Sequence, residues 1–229
     1  MNAPPALGVA EARRRTTLVI ASSNRAKIVE FKELLRDLPF EVVGVSDVLS
    51  EPPAVSETES TFQGNAVKKA TVVAEATMML TLADDSGLEV DALGGRPGVR
   101  SARFAHERAT DAENNAALLA ALGDVEPDQR RGRFRCVLAV VDPFARPGSP
   151  PLITDGSCEG IIANGPRGGG GFGYDPLFIV PAAGKTMAEL SEAEKNSISH
   201  RAVAVRAMRP ILTKLSDDHL HDALRIVSA

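Results

Sequence analysis

The sequence of 229 residues predicts an α/β protein built on a mixed β-sheet. The apolar run TLVIA at residues 17–21 is typical of a buried strand. Residues 133–142, RFRCVLAVVD, first alternate and then become wholly apolar, which indicates a second strand that enters the core. Segments with one apolar and one charged face lie between such runs and predict amphipathic helices. Because strands and helices are interleaved and we find no internal repeat, we expect a single α/β fold.

The composition narrows the class of protein. A hydrophobic fraction of 44% suffices for a sizeable core, and the length suits one large domain or two small ones. The net charge of −4 argues against a protein that binds nucleic acid through a basic surface, but it is compatible with a nucleotide substrate. No apolar run is long enough to span a bilayer, so we expect neither nucleic acid nor membrane as a partner. The two cysteines, Cys136 and Cys158, imply no disulfide framework and favour a cytoplasmic location.

The N-terminal third predicts a tail and then two strands and two helices. Residues 1–15 contain prolines and three arginines but no apolar segment of a signal peptide, so we expect a disordered tail. A polar turn at Ser22, Ser23 and Asn24 follows the first strand and leads into an amphipathic helix. The further elements expected here are a strand over 41–45, a polar loop over 46–60 and a helix over 62–78.

The rest of the chain predicts three helices and further strands. Thr110 with Glu113, and Ser191 with Glu194, form capping boxes that start two helices. Within a strand expected over 152–163, glycines at 156 and 160 predict β-bulges. The remaining predicted elements are a strand over 177–180 and a long helix over roughly 199–215.

The stretch ADDSGLEVDALGGRPGVRSAR, residues 83–103, carries the most informative pattern. Asp84, Asp85 and Ser86 follow what we interpret as the end of a buried strand. Unpaired charges beside a core cost several kcal/mol, so these carboxylates need a partner. A divalent cation such as Mg²⁺ is one interpretation, because it prefers hard oxygen ligands. A plain turn, in which Ser86 and the backbone donate hydrogen bonds, is the other.

Three further groups indicate a site for a phosphorylated ligand, although each has a plainer interpretation. Ser22 to Lys27 place a helix N-terminus beside polar side chains, which suits phosphate, or they form a simple helix cap with a surface lysine. The glycine run 168–171 beside Phe172 and Tyr174 suits base stacking, or it is a flexible loop. His200 and Arg201 lie at a helix start, where cations are disfavoured. The pair therefore either has a functional reason or is a fortuitous surface pair. Lys68 and Lys69 near another helix start likewise suit an anionic neighbour, or they are ordinary solvated surface lysines.

In combination, these stretches carry a resemblance to a known family. The motifs are TLVIASSNRAK, TFQGNAVKKA, ADDSGLEVDALGGRPGVRSARFA, GGFGYDPLF and KTMAELSEAEKNSISHR, in this order. They resemble the inosine/xanthosine triphosphate pyrophosphatases, the Ham1-like family, over about residues 17–213. ADDSGLEVDALGG and GFGYDP are the most specific of them.

The resemblance implies a fold, an activity and partners. The fold would be an elongated mixed sheet flanked by helices in two lobes, with the active cleft between them. The activity would be Mg²⁺-dependent hydrolysis of XTP, ITP and dITP to the nucleoside monophosphate and pyrophosphate. The protein would be a homodimer acting on a small-molecule nucleoside triphosphate. On this basis we expect one catalytic domain over 16–216 and a C-terminal extension over 217–229.

The resemblance also implies roles for individual residues. Asp85 matches the proton acceptor and a metal ligand, and Glu57 matches the other metal-binding carboxylate. The expected triphosphate loop is Ser22, Ser23, Asn24, Arg25, Ala26 and Lys27. The other expected substrate-binding residues are Ser86, Phe172, Gly173, Tyr174, Asp175, Lys195, His200 and Arg201.

One departure from the family bears on the metal. The family usually has Glu-Asn-Ala where this chain has Gly64-Asn65-Ala66. A carboxylate is therefore missing, and we expect the metal shell to depend more on Glu57 and Asp84. Two alternatives to the main hypothesis are a Maf-like pyrophosphatase that acts on other modified nucleotides and a non-catalytic nucleotide-binding protein.

Overall fold

The structure is a computed structural model that describes residues 16–227 of the chain. The expected N-terminal tail, residues 1–15, lies outside the described residues. Over residues 16–227 the backbone forms one sheet of seven strands with the order β2-β1-β3-β4-β5-β6-β7. The strands are β1 Thr16–Ile20, β2 Phe40–Gly44, β3 Leu80–Val90, β4 Arg131–Val141, β5 Leu152–Ile162, β6 Phe178–Val180 and β7 Lys185–Thr186.

Strand directions confirm the expected mixed sheet. β1 lies parallel to both β2 and β3, whereas each pair from β3 to β7 is antiparallel. β3, β4 and β5 are the longest strands, with 11 residues each. The helices are α1 Arg25–Leu34, α2 Val45–Val48, α3 Phe62–Thr77, α4 Asp111–Ala121, α5 Glu192–Ile198 and α6 His200–Val227.

Helix ends agree with the sequence patterns except at α6. Both predicted capping boxes form, at Thr110 with Glu113 and at Ser191 with Glu194. α6 is longer than predicted, because it continues past Leu215 to Val227 without a break. The division of the chain at residue 216 therefore stays a prediction. None of the helices within residues 16–227 is both long and apolar enough to cross a membrane.

Two hydrophobic cores share one face of the long strands. Alternate residues of a strand face the same side of its sheet, so Leu80 and Leu82 lie on the same side as Leu88 and Val90. Leu80 and Leu82 belong to a core closed by α1 and α6. Leu88 and Val90 belong to a second core, closed by α4 and the segment after β5. Polar positions 84 and 86 of β3 lie between the two cores, which leaves a cleft there. α3 covers the opposite face of the sheet.

The predicted bulges at Gly156 and Gly160 are wrong. Both glycines lie in unbroken antiparallel register with β4, where Gly156 pairs with Cys136 and Gly160 with Gly132. Both are needed because something packs where a Cβ would be. A Cβ at 156 would overlap the carbonyl oxygen of His200 and the backbone N of Ala204, and one at 160 would overlap the Phe178 ring. Gly156 therefore lets the first turn of α6 lie directly on β5.

Candidate active site

Asp84 and Asp85 lie in the middle of a strand, so the turn interpretation is wrong. β3 continues through both residues to Val90 in regular register with β4. Consecutive strand residues face opposite sides of a sheet, which separates the two carboxylates. β1 pairs with β3 only as far as Ile20 opposite Leu82. Past that point no strand within residues 16–227 pairs with the β1 side of β3, apart from a single bridge of Glu89 to Pro97, so a ligand beside Asp84 and Asp85 can reach both carboxylates around the edge.

Asp84 faces a cluster of cations on the α1 and α6 side. Its Oδ2 accepts hydrogen bonds from Lys27 Nζ at 2.9 Å and Ser86 Oγ at 3.0 Å, and Arg201 Nε lies at 3.5 Å. Burial works to raise the pKa of Asp84, but Lys27 and Arg201 outweigh it and hold that pKa far below its usual value. The protein itself therefore neutralises this carboxylate. Its hydrogen bonds go to Lys27 and Ser86 and not to the lysine that joins Glu57 to Asp85, so a role of Asp84 in the metal shell stays a prediction.

Asp85 faces α3 and shares a lysine with Glu57. Lys69 Nζ donates to Glu57 Oε1 at 2.7 Å and to Asp85 Oδ1 at 3.2 Å. The side-chain amide of Asn65, which is fully buried, donates to Asp85 Oδ2 at 3.0 Å. Burial, with the nearby charge of Glu57, raises the pKa of Asp85 in spite of Lys69. Burial also works to raise the pKa of Glu57, but Lys69 outweighs it and lowers that pKa.

Glu57 and Asp85 form a pair of carboxylates whose chemistry suits a magnesium ion. Both carboxylates reach the same ammonium group, so their oxygens converge on one position for a cation. The described part of the chain brings no three His, Cys, Asp or Glu side chains together as ligands. Mg²⁺ binds through one or two carboxylates, substrate phosphates and water, so a pair of carboxylates suits it. A metal that needs a closed shell of protein ligands would not fit here.

Gly64, the departure from the family pattern, lies under the side chain of Glu59. A Cβ at position 64 would come within 2.8 Å of Glu59 Cβ and 3.0 Å of its Cγ. The N–H of Glu59 also donates to Asn65 Oδ1 at 3.0 Å. Asn65 thus uses both ends of its amide to join Asp85 to the loop that carries Glu57. A larger residue at 64 would have to displace Glu59 from this position.

The predicted phosphate loop is a helix cap, and its lysine points into the cleft. Asn24 caps α1, and its Oδ1 accepts from the backbone N–H groups of Ala26 at 2.9 Å and Lys27 at 3.3 Å. Ser22 Oγ accepts from the N–H of Asn24 at 3.1 Å. Lys27 is not the surface lysine of the plainer interpretation, because its side chain is 17% exposed and is bound to Asp84.

A pocket between the two hydrophobic cores brings together many of the predicted substrate-binding residues. Those lining it are Asn24, Lys27, Ser86, Phe172, Gly173, Tyr174, Asp175, His200 and Arg201. Ser22, Ser23, Arg25 and Ala26 lie beside it in the loop before and at the start of α1. Lys195 reaches it indirectly, since its Nζ donates to Asp175 at 2.6 Å. Glu57 and Asp85 lie outside this pocket, around the edge of β3.

Arg201 is buried and partly committed to protein contacts, so the surface-pair interpretation is wrong. It donates to Glu30 Oε2 at 2.7 Å and to Ser86 Oγ at 3.0 Å, and its exposed fraction is 4%. Burial works to lower the pKa of Arg201, but Glu30 and Asp84 raise it, so the guanidinium stays charged. A guanidinium has five N–H donors. The contacts with Glu30, Ser86 and Asp84 use one donor each, three in all. Two donors are left for a ligand.

His200 is a buried neutral imidazole on the floor of the pocket. Its ring stacks on Phe134 with centroids 4.9 Å apart. Burial, together with the charge of Arg201, lowers the pKa of His200 well below its usual value. Nδ1 is buried without a hydrogen-bond partner among the residues that the structure describes. A neutral imidazole can donate from one ring nitrogen and accept at the other, so His200 can bind a polar group of a ligand.

The glycine-rich loop is held in place by contacts, and its two aromatic residues have different roles. Tyr174 is buried, and its hydroxyl donates to the carbonyl oxygen of Ser101 at 2.8 Å. Phe172 is only partly buried, with Arg201 5.2 Å from its ring centroid and Lys195 5.9 Å from it. Phe172 is therefore the ring available for stacking on a base. Gly171 has a φ of 77°, and a Cβ there would overlap the Asp175 carboxylate.

Sequence reasoning missed several residues that complete the site. Asn65 lies in the TFQGNAVKKA motif, and its type and position could have suggested a role. Glu30 and Phe134 lie on an amphipathic helix and a core strand, where nothing local distinguishes them from structural residues. Their roles depend on contacts with Arg201 and His200, which are 171 and 66 positions away in the chain.

Comparison with known proteins identifies the family. The model of the Ham1 family matches residues 18–211. This chain belongs to the Ham1 family. It is similar to the dITP/XTP pyrophosphatase of Desulforamulus reducens, with 49% identity over 86% of this chain and 96% of the relative. The dITP/XTP pyrophosphatase of Escherichia coli K12 is 44% identical over 83% of this chain and 95% of the relative.

Solved structures of family members share the fold. The HAM1 protein of Coxiella burnetii has a TM-score of 0.77 and 44% identity, and the match covers 87% of this chain and 99% of that one. The Ham1 protein of Staphylococcus aureus has a TM-score of 0.74 and 42% identity, and the match covers 86% of this chain and 98% of that one. The expected α/β fold with a mixed sheet is confirmed.

Proposed function

We propose that this chain is a nucleoside-triphosphate pyrophosphatase that converts dITP, XTP and ITP to the monophosphate and pyrophosphate, with Mg²⁺. One observation carries the proposal. Glu57 and Asp85 converge on a single cation position on one side of the open edge of β3, and a pocket with Phe172, His200 and Arg201 lies on the other. A nucleotide that spans this edge has its phosphates near the carboxylates and its base in the pocket. The dITP/XTP pyrophosphatase relatives support the same substrate class.

The phosphate end of the site supplies charge and a base for water. A triphosphate carries about four negative charges, and Mg²⁺ bound by Glu57 and Asp85 would neutralise part of this charge and orient the phosphates. Lys27 and Lys69 lie on either side of β3 and supply further positive charge. Asp85 accepts a proton from the attacking water, because its carboxylate lies at the cleft edge and is held by Asn65. Attack in line with the leaving pyrophosphate yields the monophosphate.

The base end of the site selects a 6-oxo purine. Phe172 stacks on the base, and the free donors of Arg201 bind the 6-oxo oxygen, with His200 beside them. Adenine presents an amino group at this position, which would leave buried donors of Arg201 facing another donor. Such a mismatch is worth several kcal/mol. The discrimination against ATP therefore comes from fixed donors at the pocket floor.

We further propose that the enzyme is a cytoplasmic homodimer with no nucleic-acid or membrane partner. The family resemblance supports the dimer. Cys136 and Cys158 are both buried and free, which suits a reducing compartment. Light scattering coupled to size exclusion measures the oligomeric state, and a monomer at micromolar concentration would contradict the dimer.

The experiment that tests the activity separates the main proposal from its rivals. The protein is incubated with ITP, XTP, dITP, GTP and ATP, with Mg²⁺ or with EDTA, and products are identified by ³¹P NMR. Pyrophosphate from ITP, XTP and dITP, little product from ATP, and no turnover in EDTA are expected. Preferential turnover of pyrimidine or other modified nucleotides would favour the Maf-like alternative. Binding of ITP without any product would favour the non-catalytic one.

A further inference from the structure

Two side chains at the start of α4 bind the backbone N–H and the carbonyl oxygen of one residue of the glycine-rich loop, Gly173. Asp111 Oδ2 accepts a hydrogen bond from the backbone N–H of Gly173 at 2.7 Å. Asn115 Nδ2 donates to the carbonyl oxygen of Gly173 at 2.9 Å. Asp111 and Asn115 are four residues apart in one helix, so they lie on the same face of it. We call this pair, with the Gly173 backbone it binds, the α4 clamp.

The α4 clamp lies next to the ring proposed to stack on the base. Gly173 directly follows Phe172 and has a φ of 63°, a conformation that glycine adopts without strain. On the other side of the ring, the N–H of Phe172 donates to Asp175 Oδ2 at 3.2 Å, and Lys195 also binds this oxygen. The backbone after Phe172 is therefore held by side chains from α4, and its own N–H is held by Asp175, which Lys195 of α5 binds in turn.

α4 is itself tied to the segment that follows β3, through the side chain of Asn114. Asn114, the neighbour of Asn115, is 3% exposed. Its Nδ2 donates to the carbonyl oxygen of Ala102 at 3.1 Å, and its Oδ1 accepts from the N–H of Ala105 at 3.0 Å. Asn115 Oδ1 is buried without a partner among the described residues. The bond from Nδ2 to Gly173 fixes the orientation of the Asn115 amide, although this orientation leaves Oδ1 without a partner. An unpaired buried acceptor costs free energy, so the bond to Gly173 must compensate for that cost.

We propose that Asp111 and Asn115 are positioning residues that hold Phe172 in place for stacking before the nucleotide binds. This inference rests on the proposed function, in which Phe172 contacts the base. A loop that is ordered in advance avoids the entropy loss of ordering on binding, so the clamp favours affinity for the substrate. Asp111 lines the pocket beside Phe172, and neither member of the clamp is hydrogen-bonded to Glu57 or Asp85, so we expect the clamp to have no part in the hydrolysis step.

The kinetic test compares variants of the clamp with matched controls. Asp111→Ala and Asn115→Leu are each expected to raise KM for ITP about three- to tenfold, the effect of losing one hydrogen bond, with kcat within about twofold. Asp111→Asn keeps a side-chain oxygen for the N–H of Gly173, so it is expected to restore KM to within about twofold of the wild type. Asp124→Ala removes an exposed carboxylate just beyond the same helix and is expected to leave KM unchanged.

A second readout follows the loop without any nucleotide. Tyr174 is the only tyrosine and the chain has no tryptophan, so its fluorescence reports on the loop directly. Quenching by acrylamide is expected to increase in Asp111→Ala and Asn115→Leu but not in Asp111→Asn or Asp124→Ala. Thermal unfolding identifies any variant that fails to fold. If the variant of one clamp residue does not fold, the variant of the other still provides the test.

Three results would overturn the proposal that the clamp holds Phe172 in place. They are unchanged Tyr174 quenching in both Asp111→Ala and Asn115→Leu, an unchanged KM in both, and a fall in kcat with KM constant. The last would place these residues in the chemical step. A wild-type protein that leaves ITP intact would instead overturn the proposed function, and the quenching experiment would still decide whether the loop is held by α4.

Discussion

Asp84 and Asp85 are adjacent in the chain, yet their carboxylates lie on opposite faces of the central sheet and bind different lysines. Asp84 binds Lys27 of α1, and Asp85 binds Lys69 of α3. The cause is the alternation of side chains along β3. Asp84 is surrounded by cations and neutralised, whereas Asp85 shares one lysine with Glu57. This relationship predicts that replacing the carboxylate by an amide affects mainly turnover at position 85 and mainly stability at position 84.

Asp85→Asn is expected to reduce kcat for ITP by at least about a thousandfold while the fold survives. The amide removes the proton acceptor and weakens the metal site but keeps the size of the side chain and a partner for Asn65. Initial rates of pyrophosphate release measure the effect, and circular dichroism checks the fold. Near-normal turnover would remove Asp85 from the role of base.

Asp84→Asn is expected to act first on stability. It leaves the buried cations Lys27 and Arg201 without a full counter-charge, which costs about 3 kcal/mol in the free energy of unfolding. Urea denaturation measures the loss. Glu33→Gln is the matched control, because it removes the carboxylate of an exposed pair with Arg36 and should cost no more than about 0.5 kcal/mol. Equal effects in the two variants would contradict the structural role of Asp84.

Arg201→Ala is expected to narrow the preference for ITP over ATP by at least about tenfold in kcat/KM. The variant lacks the donors that match the 6-oxo oxygen and the cation beside Phe172. A ratio of two substrates is the right measurement, because any general loss of stability cancels in it. Arg206→Ala, an exposed arginine on the same helix, should keep the wild-type ratio. If Arg201→Ala also keeps it, the base is recognised elsewhere.

Gly156→Ala is expected to push α6 away from β5 and so to move His200 and Arg201. The new Cβ would overlap the His200 carbonyl oxygen and come within 2.9 Å of Val203 Cβ. Overpacking of this kind costs about 1–3 kcal/mol in the free energy of unfolding, and we expect KM for ITP to rise as well. Gly165→Ala is the control, since a Cβ there meets nothing within 4 Å. Unchanged stability and KM in Gly156→Ala would show that the helix does not depend on this contact.

The stability of the folded protein is expected to fall as pH falls through the titration of His200. The pKa of His200 is lowered in the folded state. Below the usual pKa of about 6.5, the unfolded chain therefore binds more protons than the folded protein, and this binding favours unfolding. Between pH 7.5 and 5.5, the titration of His200 should lower the free energy of unfolding by up to about 1.4 kcal/mol. Urea denaturation of the wild type and of His200→Gln isolates this contribution, because the other histidines are common to both. Equal pH slopes in the two proteins would show that His200 titrates normally.

Local patterns predicted the elements well, and they failed where a partner distant in the chain decides the geometry. The strand and helix segments and both capping boxes follow from side chains within a few residues of one another, as with Ser191 and Glu194. The end of β3 was predicted too early, at Ala83, since aspartates are rare within strands. Pairing with Leu138 and Val137 of β4 keeps Asp84 and Asp85 in β3.

By itself, the sequence determined the mixed α/β fold, the family and the residue types that can bind phosphate, a base and a metal, because these are carried by periodicity and by local motifs. Only the tertiary structure decided which of those residues work together. Folding β3 against α1, α3 and α6 sends Asp84 to one face with Lys27 and Arg201 and Asp85 to the other with Lys69. It also made Gly156 a contact site for α6 instead of a bulge. The physical reason is that burial, charge pairing and close packing depend on neighbours in space, and for these residues the neighbours lie from 16 to 117 positions away.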